Sequence, residues 1–152
     1  MNKFEFREGT AKDSSPMAQL WLEATSEVAK HEPTYTPNLT RAELAKRLSD
    51  ELETGSKRAY VVCAGNDLAA YVTFRVESES PIFTPRQYLY VIDLDVSAKF
   101  RKQGLSRLLM TEIESYAKAK GDIYEQLFPL LKPKAHCVIN VSDMWWENKR
   151  IT

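Results

Sequence analysis

The sequence predicts an α/β chain of the segregated kind (α+β), with a mostly antiparallel sheet flanked by helices. Three observations carry that prediction. Strand patterns of period two recur at the N-terminus, near residue 60, near residue 70 and at 87–96. Two helical patterns separate the first strand from the second. A turn as short as "GND" joins the second strand to the third, which makes that pair a hairpin. The order strand, helix, helix, strand, strand, strand, helix is a meander rather than regular βαβ alternation.

Taken in order, "KFEFREG" alternates apolar and polar residues, so a first strand is expected near residues 3–8. "SSPM" (14–17) reads as a helix start, with Ser15 as the cap and Pro16 at the first helical position, where a missing N–H costs nothing. Met17, Leu20, Trp21, Ala24 and Val28 then fall on one helical face. "HEPTYTP" (31–37) is expected to be irregular, because its two prolines remove backbone donors. Thr40 and Glu43 form a capping-box pattern; Leu44, Leu48 and Leu52 follow at four-residue steps until Gly55 closes the helix. "RAYVVCA" and "LAAYVTFRV" are strands, "SPIFTP" is a break, and "QYLYVIDLDV" (87–96) is the strongest strand pattern in the chain. Leu105, Leu108, Leu109, Ile113, Tyr116 and Ala117 give an amphipathic helix to about Lys120, with Gly121 as its terminator. "AHCVINV" reads as a fifth strand.

Composition narrows the functional classes. At 152 residues with no linker, repeat or low-complexity run, residues 1–152 are expected to form a single domain. Lys+Arg and Asp+Glu are both 21, so net charge gives no support to a nucleic-acid or membrane partner, and any anion site has to be local. No apolar run approaches the roughly 18 residues a membrane span needs, and "MNKFEFREG" has no signal-peptide core; a cytoplasmic location is expected. Cys63 and Cys137 show no metal-ligand spacing with His31 or His136, so both are read as buried thiols and no metal site is expected.

The chemistry-bearing stretch is "VSAKFRKQGLSRLL" (96–109), a strand running through a basic turn into a helix. Such a junction gathers unpaired backbone N–H groups and the positive end of the helix dipole, which suit a phosphate or diphosphate. Gly104 removes a Cβ from the approach, Ser106 adds a hydroxyl, and Lys99, Arg101, Lys102 and Arg107 supply local positive charge. The spacing is neither that of a P-loop nor that of a dinucleotide fingerprint. Taken alone, the turn is as consistent with a solvated surface loop.

In context, "LDVSAKFRKQGLSRLLMTEIESYAKAKG" resembles the coenzyme-binding motif of the GNAT N-acetyltransferase superfamily, with Val96, Phe100, Arg101, Gly104, Leu105 and Leu109 in register. The preceding order of elements matches too, and "NDLAAYVTF" is similar to the family's hairpin with Ala70 for glycine. The resemblance covers about residues 3–121. It implies a GNAT-like mixed, mostly antiparallel sheet, splayed where acetyl-CoA enters. It also implies that backbone amides of Arg101, Lys102, Gln103, Gly104, Leu105 and Ser106 hold the diphosphate. Leu94, Asp95 and Val96 would then hydrogen-bond the pantetheine arm. Lys102 stands where a glycine is common, and Ser106 where glycine or alanine is.

The resemblance weakens at the catalytic groups. Positions matching the family's glutamate base hold Tyr90 and Ile92. Asp93 and Asp95 lie close but on the opposite face under strict alternation, unless a bulge changes the parity; Asp93 is the candidate base, against the reading of a carboxylate that caps a loop. His31 and Glu32 lie in a loop that often lines the family's acceptor site, although a solvated loop is the simpler reading. Residues 122–152 depart from the family pattern as an atypical or shortened tail; Tyr124 is its sole tyrosine, and Trp145 and Trp146 raise a homodimer interface as an expectation. The resemblance thus implies an acetyl-CoA-dependent N-acetyltransferase acting on a small-molecule amine by direct transfer in a ternary complex. The alternative is a catalytically impaired acyl-CoA-binding or interaction module on the same fold.

Overall fold

The computed structural model describes residues 3–78, 82 and 87–119. Strand β1 (Phe4–Glu8) is followed by helices α1 (Ser14–Ala29) and α2 (Arg41–Thr54), then by strands β2 (Arg58–Ala64), β3 (Asp67–Ser78) and β4 (Gln87–Val96), and finally by helix α3 (Leu105–Ala119). The four strands form one sheet in the order β1-β2-β3-β4, each pair antiparallel.

Side-chain alternation gives the sheet two apolar faces. Val62, Ala70, Val72, Phe74, Leu89, Val91 and Leu94 pack against Leu105, Leu109, Ile113 and Ala117 of α3. On the other face Ala59, Val61 and Tyr71 pack against Met17, Ala18 and Leu20 of α1 and Leu44 and Leu48 of α2. The three helices are thus two-against-one across the sheet, as the amphipathic patterns require.

Local chemistry sets the helix ends. Thr40 Oγ1 accepts from the Glu43 N–H at 3.1 Å, and Gly55 leaves α2 with a φ of 80°. The start of α1 differs from the sequence reading. The helix begins at Ser14, so Ser15 lies inside it and Pro16 is its third residue, still among the positions whose N–H has no helical acceptor. The reason lies upstream. A short 3₁₀ turn, Ala11–Asp13, runs straight into α1; Asp13 Oδ2 accepts from the Thr10 N–H at 2.8 Å, and Ser14 Oγ donates to the Ala11 carbonyl at 2.7 Å. Ser15 Oγ instead accepts from Arg41 at 2.9 Å, joining the starts of α1 and α2. The 31–37 segment also holds more order than its prolines imply. Pro33–Tyr35 form a 3₁₀ turn, because the Tyr35 and Thr36 amides are still free to donate to Glu32 and Pro33.

Cys63 is a free thiol, half-buried rather than buried, with Arg7 Nη2 3.8 Å from its sulfur; desolvation pushes its pKa up. The fifth strand, Tyr124, Cys137, His136, Trp145, Trp146 and the dimer surface read from the two tryptophans lie outside the described residues, as does most of the "SPIFTP" break.

Candidate coenzyme and acyl-transfer site

The end of β4 and the start of α3 are held apart by a short, well-anchored connection. The Ser97 N–H donates to the Ala69 carbonyl of β3 at 2.8 Å, and the Phe100 N–H closes a 3₁₀ turn onto Ser97 at 2.9 Å. Phe100 is buried and meets Phe4 edge-on, with ring centroids 6.0 Å apart. That aromatic anchor fixes where the next four residues emerge. Arg101, Lys102, Gln103 and Gly104 are all exposed, and their N–H groups have no backbone acceptor among the described residues. The chain turns through positive φ at Lys102 (64°) and at Gly104 (80°) before α3 begins at Leu105. A Cβ built on Gly104 meets nothing within 4 Å, so the turn is open at the position where a close-approaching anion needs room. The Leu108 N–H makes the first bond of α3 to the Gly104 carbonyl at 3.0 Å; the amides before it point out of the helix end.

The basic side chains are less available than their number implies. Arg101 pairs with Glu27 of α1 at 3.2 Å, and Lys99 lies 3.5 Å from Asp67. These pairs are about half exposed or more, so each adds little stability. Lys102 and Arg107 are exposed. The anion-binding capacity of the turn therefore rests on its main chain.

On β4 the parity question has a definite answer. Thr73 pairs with Asp93 and Phe74 with Val91, leaving Ile92 as an extra, bulged residue. Leu89 and Val91 before the bulge face α3, and so does Leu94 after it. Asp93 and Asp95 therefore face α1 and α2, the side that Tyr90 also takes. Strict alternation would have separated them from Tyr90; the bulge brings them together.

Both carboxylates are buried, with residue exposures of 8% for Asp93 and 3% for Asp95. The Asp93 N–H donates to Thr73 Oγ1 at 3.2 Å. Asp95 Oδ2 accepts a 2.6 Å hydrogen bond from the hydroxyl of Tyr71, a fully buried residue of β3. Burial pushes the Asp95 carboxyl up to about 7; the Tyr71 hydrogen bond and the Arg101 charge act against this, and the Asp93 charge adds to it. Burial likewise keeps the Tyr71 phenol neutral by raising it well above its ordinary value. His31 and Glu32 are exposed in the α1–α2 connection, where Glu32 accepts from Thr34 Oγ1 at 2.9 Å.

The structure thus brings Leu94, Asp95 and Val96 to the strand end and Arg101 to Ser106 to the adjoining turn, in one continuous path. Two features escape a reading along the chain, the Tyr71–Asp95 bond and the Arg101–Glu27 pair. Each joins residues separated by a whole element, and no local pattern signals either.

Comparison with known proteins agrees with this geometry. No curated protein matches the chain. Among solved structures, a tetramutant of BH1408 from Bacillus halodurans aligns with a TM-score of 0.67 at 22% identity, covering 76% of each chain. An acetyltransferase from Vibrio fischeri aligns with a TM-score of 0.63 at 16% identity, over 77% of this chain and 88% of that one. An aminoglycoside acetyltransferase from an uncultured soil metagenomic sample, HMB0005, aligns with a TM-score of 0.56 at 20% identity, over 78% and 74%. At these identities the likeness is one of fold. The family profile described as Acetyltransferase (GNAT) family matches residues 17–129, a span that runs from α1 through the open turn and α3. With most of the chain matched and the strand–turn–helix in place, this protein belongs to the GNAT acetyltransferase family.

Proposed function

We propose that the chain moves the acetyl group of acetyl-CoA to the nitrogen of a small-molecule amine, by direct attack within a ternary complex. The observation that carries this reading is the open turn, whose outward amides and bare Gly104 lie at the N-terminus of α3, directly after the end of β4. A diphosphate fits there on chemical grounds. The main chain of Arg101, Lys102, Gln103, Gly104, Leu105 and Ser106 would receive it, and the main chain of Leu94, Asp95 and Val96 would pair with the amide-bearing arm. Acetyl-CoA supplies an acyl group activated as a thioester.

The protein's own part is to bind, orient and manage one proton. An amine attacks only when neutral, so a base must accept a proton as the nitrogen commits to the carbonyl. Asp93 is the carboxylate placed for that work, since the bulge turns it to the α1–α2 side and leaves a small part of it accessible. The small-molecule acceptor is supported by the likeness to HMB0005, whose own acceptors are aminoglycosides by its name.

Calorimetric titration with acetyl-CoA, paired with a thiol-release assay over an amine panel, tests the reading. Gly104→Trp fills the open approach and is expected to weaken coenzyme binding at least tenfold, about 1.4 kcal/mol or more. Asp93→Asn is expected to keep coenzyme affinity within twofold while losing roughly 100-fold or more in turnover. Equal binding by parent and Gly104→Trp would show that the site is misplaced. Binding by the parent without turnover on any amine would favour a coenzyme-binding module instead.

A further inference from the structure

Asp95 is the buried titratable group that the proposed reaction leaves without a side-chain task. It is 3% exposed, and its Oδ2 is engaged by the Tyr71 hydroxyl at 2.6 Å. The charged and titratable groups around it are few. Tyr71 comes from β3 and Asp93 from β4. Arg101 comes from the turn before α3, and Glu27 of α1 reaches this region through its 3.2 Å pair with Arg101. Arg101 is thus the cation whose field reaches the buried carboxyl, and it is also the first residue of the anion-binding turn.

We infer that Asp95 is a positioning residue of the coenzyme site, acting through Arg101: when an anionic diphosphate settles on the 101–106 turn, the buried carboxyl takes up a proton from solvent. This rests on the reading that the turn holds the coenzyme. The physical cause is charge balance. Without ligand, the guanidinium favours the ionised carboxylate; a diphosphate beside Arg101 cancels that field and adds negative charge of its own. The hydrogen bond from Tyr71 occupies Oδ2, so the proton goes to Oδ1, and no other bond changes. A protonated Asp95 also removes one negative charge from beneath the strand end on which the coenzyme arm would lie.

The sign follows from linkage. Asp95 titrates near 7 in the free chain, and a bound anion raises that value further. Binding is then tightest below pH 7 and weakens as pH rises, levelling off above the ligand-bound value. An upward shift of about half to one unit corresponds to roughly three- to tenfold weaker binding between pH 6 and pH 9. The same shift gives an uptake of about 0.3–0.5 proton per coenzyme near pH 7.5.

The experiment is calorimetric titration of the full chain with free CoA, in two phosphate-free buffers of different ionisation enthalpy, across pH 6–9. The parent is expected to take up protons in that range. Asp95→Asn keeps an acceptor for Tyr71 and cannot ionise, so it should abolish the uptake that exceeds the coenzyme's own titration. Tyr71→Phe removes the hydrogen bond that holds the ionised form, so the midpoint of the pH profile should move upward; loss of packing alone would not move it. Should Asp95→Asn fail to fold, the parent's proton count and the Tyr71→Phe midpoint decide the matter. CoA binding with identical proton counts in parent and Asp95→Asn, or an unmoved Tyr71→Phe midpoint, would overturn the inference and leave the coenzyme reading standing. No binding of CoA at all would overturn both.

Discussion

Lys102 occupies a backbone conformation that most side chains avoid. Its φ of 64° lies in the left-handed region, where a Cβ crowds the following carbonyl. The penalty is about 1–2 kcal/mol, offset in part by the smaller entropy a lysine loses on folding compared with glycine. Lys102→Gly is therefore expected to raise stability by up to about 1 kcal/mol in urea unfolding, with coenzyme affinity kept, because the main chain rather than the ammonium faces the ligand. A destabilised variant would mean that the lysine side chain is held by contacts that outweigh the strain. Gly104 has the same kind of backbone with open space above it, and there the glycine serves access as well as geometry.

At the scale of the element, one extra residue in β4 decides which side chains enter which layer. Ile92 takes the bulged position, and every residue after it changes face relative to a regular strand. Asp95 is carried inward as a result, and its burial raises the carboxyl from the usual carboxylate range to about 7. A raised carboxyl binds its proton more tightly in the folded chain than in the unfolded one. Stability therefore falls as pH rises between the unfolded value near 4 and the folded value near 7, and is flat above that. Asp95→Asn removes the buried charge and keeps an acceptor for Tyr71. It is expected to match the parent near pH 4 and to exceed it by on the order of 3 kcal/mol at pH 8. Urea unfolding at several pH values checks this; a constant difference across that range would mean that the carboxyl does not titrate where its burial places it.

Over the whole molecule, the sheet is the shared wall of two cores, and Phe74 is central to the α3 side. Its ring lies 5.1 Å from that of Tyr60 and 5.3 Å from that of Tyr116, so it ties β2, β3 and α3 together. Phe74 is fully buried, and Phe74→Ala is expected to cost about 3–5 kcal/mol in chemical denaturation. A cost below about 1 kcal/mol would mean that α3 packs without that ring. The coenzyme turn depends on the same packing, because Phe100 and Leu105, at its two ends, belong to this core.

Period-two and period-3.6 patterns located the four strands and three helices within a few residues, since each pattern is written in the residues that form the element. The Thr40 cap, the Gly55 stop and the open turn at Arg101–Gly104 were legible for the same reason: the partners are three or four positions apart. The two serines misplace the start of α1, because Thr10 and Asp13, before the apolar pattern begins, organise the turn that feeds it. What only the tertiary structure decided is the side of the sheet that Asp93 and Asp95 occupy, the Tyr71 bond to Asp95, and the capture of Arg101 by Glu27. A bulge is fixed by pairing with a strand about 20 residues away, and the ionisation of a buried carboxyl by everything packed around it. Neither is a property of the local chain.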